Sequence, residues 1–166
     1  MEKNQIAKQD RPKQTKWHKI LVAFSFAVYL ILLFYFLFFA EVLGRTNVDT
    51  AYHYNLIPFH EIKRFIQYRD ILGNTAVLLN LLGNVAAFLP FGAMLPVFSR
   101  KCKNVLFTTF VSFELSLLVE TLQLISKVGS FDVDDLMLNT LGGMFGYLCY
   151  WCAQKIRRKY YGKKKL

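Results

Sequence analysis

Residues 17–40 read WHKILVAFSFAVYLILLFYFLFFA, with no charged side chain between Ile20 and Ala40. A hydrocarbon core about 30 Å thick requires roughly 20 apolar residues in a helix. The run meets this length, and it is longer than the apolar core of a cleaved signal peptide, which a small-residue cleavage site should follow. It ends instead in two phenylalanines, Ala40 and Glu41. We therefore predict a retained transmembrane helix over residues 17–40.

The composition of the chain also indicates a membrane environment. Its 166 residues allow one domain, and 54% of them are hydrophobic. A soluble domain of this size has too little interior to bury so much apolar surface. The formal net charge is +10, but the basic residues lie at the ends of apolar runs. This distribution is typical of membrane proteins, and it argues against binding to nucleic acid.

Three further segments are long enough to cross a bilayer, namely residues 75–98, 104–125 and 136–156. A backbone in lipid must satisfy its own hydrogen bonds, so each segment is expected to be helical. We predict an all-α fold, a polytopic membrane bundle of four transmembrane helices. The bundle forms a single membrane domain over residues 17–156, with basic tails at 1–16 and 157–166.

Charge predicts the orientation of these helices. The residues before the first span, the link at 100–103 and the tail after the fourth span are strongly basic. The segment at 41–74 is balanced, and the link at 126–135 is acidic. Because lysine and arginine favour the cytoplasmic side, both termini and both tails are predicted to be cytoplasmic.

The segment between the first two spans is too long to be a simple connection. Apolar side chains recur in it at helix-like spacing: Ile62, Phe65, Ile66, Ile71 and Leu72. This pattern predicts an amphipathic helix on the outer membrane interface. His53 and His60 match no strong metal-binding spacing, so surface or packing roles are expected for both.

The three cysteines do not indicate a disulfide framework. Their number is odd, and none lies in a segment that we place on the outer side of the membrane. Cys149 and Cys152 have the spacing of a redox or metal motif, but they lie within an apolar helix. We expect both to have packing roles.

Polar side chains occur near the predicted outer ends of the second, third and fourth spans. They are Asn80, Asn84, Glu120, Gln123, Asp132, Asp135 and Asn139. A charged side chain at the membrane centre costs roughly 3 kcal/mol or more, so these groups are expected to face the protein interior. We predict that they share one polar pocket that opens outward.

Two interpretations of this pocket stay open. The amides and carboxylates bond to one another and hold the helices in register, or they bind a polar headgroup, a sugar or a cation. Several carboxylates with few cations nearby favour a protonated acid, a bound metal or a cationic ligand. The metal candidates are Glu120, Asp132 and Asp135, and no cofactor is evident. Glu114 is deeper in the membrane and is a candidate for a proton relay or a buried hydrogen bond.

Four motifs occur in order along the chain. They are Asn55-Leu56-Ile57-Pro58-Phe59, Asn84 followed by Phe88-Leu89-Pro90-Phe91-Gly92, Glu120-x-x-Gln123, and Asp132-x-x-Asp135-x-x-x-Asn139-Thr140-x-Gly142-Gly143. As an ordered set they resemble the VanZ-like family of bacterial membrane proteins over roughly residues 50 to 150. That family takes its name from a protein associated with resistance to the glycopeptide antibiotic teicoplanin. Many members carry an arginine shortly before the first aspartate of the last motif, where this chain has Ser130, which leaves Lys127 as a substitute.

The resemblance implies a protein of the bacterial cytoplasmic membrane, and our leading hypothesis is that its outward pocket binds a cell-envelope component or a lipophilic glycopeptide. Asn55, Pro58 and Phe59 would belong to the lid of the pocket, while Pro90 and Gly92 would bend the second helix around it. The ligand-binding side chains would be Asn84, Glu120, Gln123, Asp132, Asp135 and Asn139. The expected partners are the lipid bilayer, this envelope lipid or glycopeptide, and further copies of the chain in a homo-oligomer.

Two other classes of function are alternatives. An intramembrane enzyme acting on a lipid-linked headgroup would use Glu120 or Asp135 as acid, base or metal ligand. No activated serine or cysteine with a base is in evidence, so we lean away from an enzyme. A small proton-coupled transporter would use Glu114 as its proton carrier, and with four spans it would require an oligomer.

Overall fold

The computed structural model describes residues 16–44 and 52–162. Of the predicted basic tails, 1–15 and 163–166 lie outside the described residues, whereas 157–162 continue α6 beyond the predicted end of the fourth span at 156. Six helices and one short 3-10 turn, Lys101–Lys103, account for almost all of the described structure. The helices are α1 (Lys16–Gly44), α2 (His60–Gln67), α3 (Arg69–Leu72), α4 (Asn74–Phe98), α5 (Val105–Ser126) and α6 (Val133–Gly162). The predicted all-helical fold is confirmed.

The chain divides into two compact units, Met1–Leu32 and Leu33–Leu166. The described part of the first unit is the first half of α1, in which the rings of Phe26 and Tyr29 stack at 6.1 Å. The second unit holds the rest of α1 and all the other elements, including the whole polar cluster considered below.

Three helical segments are long and apolar enough to cross a membrane: Ile20–Phe38, Val77–Phe98 and Val105–Ser126. They fall within or almost within the first three predicted spans. The fourth predicted span, 136–156, lies inside α6, which does not reach the same hydropathy. Glycines, Asn139 and the tyrosine and tryptophan rings of α6 lower it. The chain is a membrane protein; a count of four spans and cytoplasmic termini stay predictions.

Helix α6 lies between α4 and α5, and glycines allow the close approach. A Cβ atom added to Gly92 would lie 1.8 Å from the carbonyl oxygen of Gly143. One added to Gly146 would lie 2.0 Å from the carbonyl oxygen of Leu89. On the other side of α6, Ser112 of α5 is completely buried below Gly143. Small residues let helix backbones meet in this way. We call the contact of α6 with α4 and α5 the seam, and it depends on glycine and serine rather than on bulky side chains.

Helix α5 begins at a side-chain cap and ends at a residue with a positive φ. The Oδ1 atom of Asn104 accepts hydrogen bonds from the backbone N–H groups of Leu106 and Phe107, at 2.8 and 3.3 Å, and so begins α5. Lys127 ends α5 with a positive φ of 54°. Helix α4 continues through Pro90 and Pro96. Its tight contact with Gly143 is at Gly92, one turn after Phe88.

The predicted amphipathic segment consists of α2 and α3. Ile62 and Phe65 are half-buried, whereas Ile66, Ile71 and Leu72 are exposed. Two short strands, which the sequence analysis did not predict, join this segment to the start of α6. Strand β1 (Tyr54–Asn55) pairs in parallel with β2 (Phe131–Asp132).

The cysteines are all free within the described part of the chain. Cys102 is buried, whereas Cys149 and Cys152 are exposed on α6. The prediction that these two pack inside the protein is therefore wrong.

Candidate functional site: a polar cluster at one end of the bundle

Four carboxylates gather where α5 ends and α6 begins. We call Glu120, Asp132, Asp134 and Asp135 the acidic cluster, and we call this end of the bundle the loop end. Glu120, Asp132 and Asp134 are buried, with between 1% and 8% of each residue exposed. The β1–β2 pairing brings the loop before α2 against the same place, since Asn55 pairs with Asp132.

Asp132 and Asp134 hold the loop through a chain of hydrogen bonds. The Nδ2 atom of Asn55 donates to Oδ1 of Asp132 at 3.2 Å, and the backbone N–H of Asp134 donates to the same oxygen at 2.7 Å. The Asp134 carboxylate in turn accepts from the backbone N–H groups of Phe59 and Ile62, at 2.5 and 3.1 Å. An acid at the start of α6 thus caps α2, which has no side-chain cap of its own.

Glu120 joins α5 to this chain. Its Oε2 atom accepts a hydrogen bond from the backbone N–H of Asp132 at 3.0 Å. Burial raises the pKa of the Asp132 carboxyl above its ordinary value of 3.8, and the nearby Asp134 charge adds to the increase. The hydrogen bonds from Asp134 N–H and Asn55 act in the opposite direction without cancelling the effect of burial.

Asp135 connects the cluster to α4. The Nδ2 atom of Asn84 donates a hydrogen bond of 2.5 Å to Oδ1 of Asp135. Each of the four carboxylates therefore accepts at least one hydrogen bond from an amide N–H group. Such charge-assisted bonds are stronger than neutral ones and fix the direction of the carboxylates.

One helical turn further from the loop end, Asn139 and Ser116 form a second polar layer. Nδ2 of Asn139 donates to Oγ of Ser116 at 3.0 Å, and both residues are fully buried. The Oδ1 atom of Asn139 is buried and has no hydrogen-bond partner among the described residues. The layer lies beneath Glu120 and Asp135, which are each four residues away on the same two helices.

The predicted site residues do not all lie in this cluster. Gln123 is buried, but its Nε2 atom donates to the backbone carbonyl of Leu37 in α1, at 2.9 Å. Pro58 and Phe59 are exposed in the loop above the cluster. Asn80 is exposed on α4, so the prediction that it faces the interior is wrong.

Glu114 differs from all of these residues. It is exposed near the middle of α5, and no hydrogen bond or ion pair of its side chain is recorded among the described residues. The alternative that it makes a buried hydrogen bond is therefore wrong. The proposed proton relay would also need this side chain inside the protein.

Sequence reasoning missed Asp134, the most deeply buried of the four acids. A signal was present, because Pro58, Phe59 and His60 place no serine, threonine, asparagine or aspartate at the start of α2. A helix start without its own cap needs an acceptor from elsewhere in the fold. Asp134, which follows strand β2, supplies that acceptor.

Two basic side chains near the cluster make contacts that can be described. An Nη2–Oε2 distance of 2.6 Å pairs Arg64 with Glu61 on its own helix. The Nζ atom of Lys127, the expected substitute for the family's arginine, lies 4.7 Å from the centroid of the Tyr52 ring. The rim of the loop end therefore carries a cation stacked on an exposed aromatic ring.

The metal candidates do not form a coordination site. In residues 16–44 and 52–162, no group of three or more histidine, cysteine, aspartate or glutamate side chains is arranged to hold a metal ion. The geometry of Glu120, Asp132 and Asp135 instead suits amide donors, which all three accept. In chemical terms the cluster is a group of carboxyl groups, held by amide donors, beside an exposed loop.

Comparisons with known proteins agree with this arrangement of motifs. The family model described as VanZ/LLP1 matches residues 26–154, which include every residue of the acidic cluster. Protein VanZ of Enterococcus faecium is 30% identical over 142 residues, covering 82% of this chain and 78% of that protein. No solved structure gives a significant match. The chain belongs to the VanZ/LLP1 family.

Proposed function

We propose that this membrane protein contributes to teicoplanin-type antibiotic resistance by binding a lipophilic glycopeptide, or an envelope component of similar chemistry, at the loop end. Family membership supports the resistance role. The observation that carries the binding proposal is an exposed apolar loop held directly against buried acids. We call Leu56, Ile57, Pro58 and Phe59 the apolar tip.

The apolar tip has a conformation that its own sequence does not favour. Phe59 has a φ of 63°, in the left-handed region that bulky residues rarely adopt. Its backbone N–H donates to Asp134, which holds the residue there. Backbone strain that the surroundings maintain is frequent at ligand-binding positions. The result is a phenylalanine ring and two aliphatic side chains displayed to the outside rather than packed inward.

The combination of groups suits an amphipathic ligand. Exposed apolar side chains on the tip would meet its lipophilic part, while the acidic cluster and the adjacent amides would meet hydrogen-bond donors or positive charge. With the predicted orientation, the loop end faces outward. The exposed Ile66, Ile71 and Leu72 of α2 and α3 would then rest at the outer membrane interface, where a lipophilic ligand concentrates.

The experiment is the teicoplanin susceptibility of a glycopeptide-sensitive bacterium that expresses the chain. Phe59→Asn removes the exposed ring, and asparagine tolerates the left-handed conformation better than phenylalanine does, so the fold is retained. Tyr68→Asn is the matched control, since Tyr68 is another exposed aromatic residue of the same loop and has an ordinary φ of −95°.

We expect the wild type and Tyr68→Asn to raise teicoplanin tolerance, and Phe59→Asn to abolish the increase at equal membrane levels. Tolerance with Phe59→Asn equal to that of wild type would contradict binding at the apolar tip. No increase with the wild type would contradict the resistance role itself.

A further inference from the structure

Helix α6 extends beyond the end of the bundle that lies opposite the loop end. The hydroxyl of Tyr147 donates a hydrogen bond of 2.7 Å to the backbone carbonyl of Lys103. Lys103 is the last residue of the 3-10 turn that comes just before α5, so this bond marks where α6 passes the start of α5. From Tyr147 the helix continues to Gly162, about 22 Å further along its axis.

The part of α6 beyond this bond is exposed and basic. Its exposed lysine and arginine side chains are Lys155, Arg157, Arg158 and Lys159. The indole ring of Trp151 is also exposed, and the Nζ atom of Lys155 lies 5.0 Å from its centroid. This stretch therefore combines the aromatic and cationic side chains that are frequent where a helix leaves a membrane.

The 3-10 turn supplies a second basic segment. Lys101 and Lys103 are exposed, whereas Cys102 between them is buried. The backbone carbonyl of Cys102 accepts a hydrogen bond of 2.7 Å from the Oγ1 atom of Thr108, which fixes the turn against α5. The two lysines therefore have a defined place at this end of the bundle.

One face of α6 continues past this turn. Trp151 follows Tyr147 by four residues, and Lys155 follows Trp151 by four more. Residues at this spacing lie on the same side of a helix, so both continue the face that contacts the turn. Arg158, three residues further, lies on the same side. The turn and the helix thus form a corner, and we call the basic side chains that border it the basic corner: Lys101, Lys103, Lys155 and Arg158.

No acidic residue balances the basic corner. The sequence has no aspartate or glutamate between residues 71 and 113, and none after residue 135. Within residues 16–44 and 52–162, none of the four basic side chains forms an ion pair. A ligand that is complementary in charge to this corner is therefore an anion.

We propose that the basic corner binds the phosphate groups of anionic phospholipids, with the ring of Trp151 beside the glycerol backbone of the same lipid. Helix α4 ends at Phe98 and α5 begins at Val105, and both contain segments long and apolar enough to cross a membrane. The corner lies at the common end of these two segments, and hence at the depth of lipid headgroups. Lysine and arginine side chains at that depth attract anionic lipids.

This lipid site does not depend on the proposed function. The acidic cluster and the apolar tip lie at the loop end, whereas the basic corner lies at the opposite end of α5 and α6. A bound lipid would attach the extension of α6 to the membrane surface and leave the loop end unchanged.

Quenching of tryptophan fluorescence by brominated lipids tests the proposal. The full-length chain has two tryptophans, so Trp17→Phe leaves Trp151 as its single tryptophan. This variant is reconstituted into phosphatidylcholine nanodiscs that contain a small fraction of brominated phosphatidylglycerol, or the same fraction of brominated phosphatidylcholine. Because bromine quenches only at short range, the ratio of the two quenching constants measures the enrichment of the anionic lipid at Trp151.

Each lysine or arginine near a membrane surface contributes about a fivefold preference for anionic lipid. We therefore expect brominated phosphatidylglycerol to be the stronger quencher by about fivefold or more. Two double variants, Lys155→Gln/Arg158→Gln and Lys101→Gln/Lys103→Gln, should each lower this preference about fivefold or more, because both segments contact the same headgroup.

The matched control is Lys63→Gln/Arg69→Gln, which removes two exposed basic side chains at the loop end and should leave the preference unchanged. All the substituted side chains are exposed, so the fold is retained in every variant. Equal quenching by the two lipids would overturn the proposal, as would a preference that survives both double variants of the corner. An equal loss in the control would also overturn it, because the effect would then come from the net charge of the chain. So would removal of the preference by an added oligonucleotide, which would identify nucleic acid as the partner of the corner.

Discussion

Glu120 and Glu114 lie on the same helix, six residues apart, and have opposite surroundings. Glu120 is 3% exposed and accepts the backbone N–H of Asp132, whereas Glu114 is exposed among apolar side chains. The first belongs to the seam between α5 and α6, and the second to the outward face of α5. The comparison shows that the role of an acid in a membrane helix depends on the face of the helix that carries it. It also depends on the hydrogen-bond donors of the element that packs against that face.

Two glycines of α4 allow the same comparison between a position in the seam and a position on an open face, and they have the largest expected effect on stability. Gly92→Ala places a Cβ atom against the Gly143 backbone and should lower the free energy of unfolding by about 3 kcal/mol. Gly83 has open space around it, so Gly83→Ala should have no cost and gain up to about 1 kcal/mol in helix propensity. Thermal unfolding of the two purified variants measures both. Equal loss in both would mean that the seam is not the tight contact described.

Asp134 is the next test of the seam. Asp134→Ala removes the acceptor of two backbone N–H groups and should expose them to exchange, at a cost of about 3 kcal/mol. Asp70→Ala is the control, since Asp70 is an exposed acid in the same loop. Hydrogen–deuterium exchange should rise at residues 59–62 in the first variant alone. Unchanged exchange there would show that Asp134 does not cap α2.

The two glutamates can be compared directly. Glu120→Ala leaves the buried N–H of Asp132 without its acceptor, which costs about 2 kcal/mol and should raise exchange of that amide roughly thirtyfold. Glu114→Ala should leave exchange at Asp132 unchanged. A similar increase in both variants would remove the distinction between the seam and the outward face.

The smallest effect is the pH dependence contributed by Asp132. Its raised pKa means that the folded protein binds a proton more readily than the unfolded chain does. This contribution to stability is therefore present below the ordinary value of 3.8 and is lost as pH rises through the raised pKa. Asp132→Asn keeps an acceptor for Asn55 and Asp134 and should remove this part of the pH dependence. If the stability of the wild type and that of Asp132→Asn changed in parallel as the pH rises above 3.8, the role given to Asp132 would be contradicted.

Much of the fold follows from local patterns in the sequence. The apolar runs predicted α1, α4 and α5, and the ordered polar motifs predicted that Asn84, Asp135 and Glu120 would come together. The β1–β2 pairing was not predictable, since it joins residues far apart in the chain and each strand has only two residues, too few for a periodic signal. For the same reason the capping role of Asp134 and the bond from Gln123 to α1 depend on tertiary structure alone.

The most direct measurement is teicoplanin tolerance conferred by the double variant Glu120→Gln/Asp135→Asn. Both substitutions keep an oxygen that can accept the bonds from Asp132 N–H and Asn84, and they replace each carboxyl group by an uncharged amide. The account predicts an unchanged membrane level and unfolding temperature with loss of the tolerance given by the wild type. Full tolerance with the double variant would contradict it, because the charges would then be dispensable and the cluster would serve only to hold the loop and helices together.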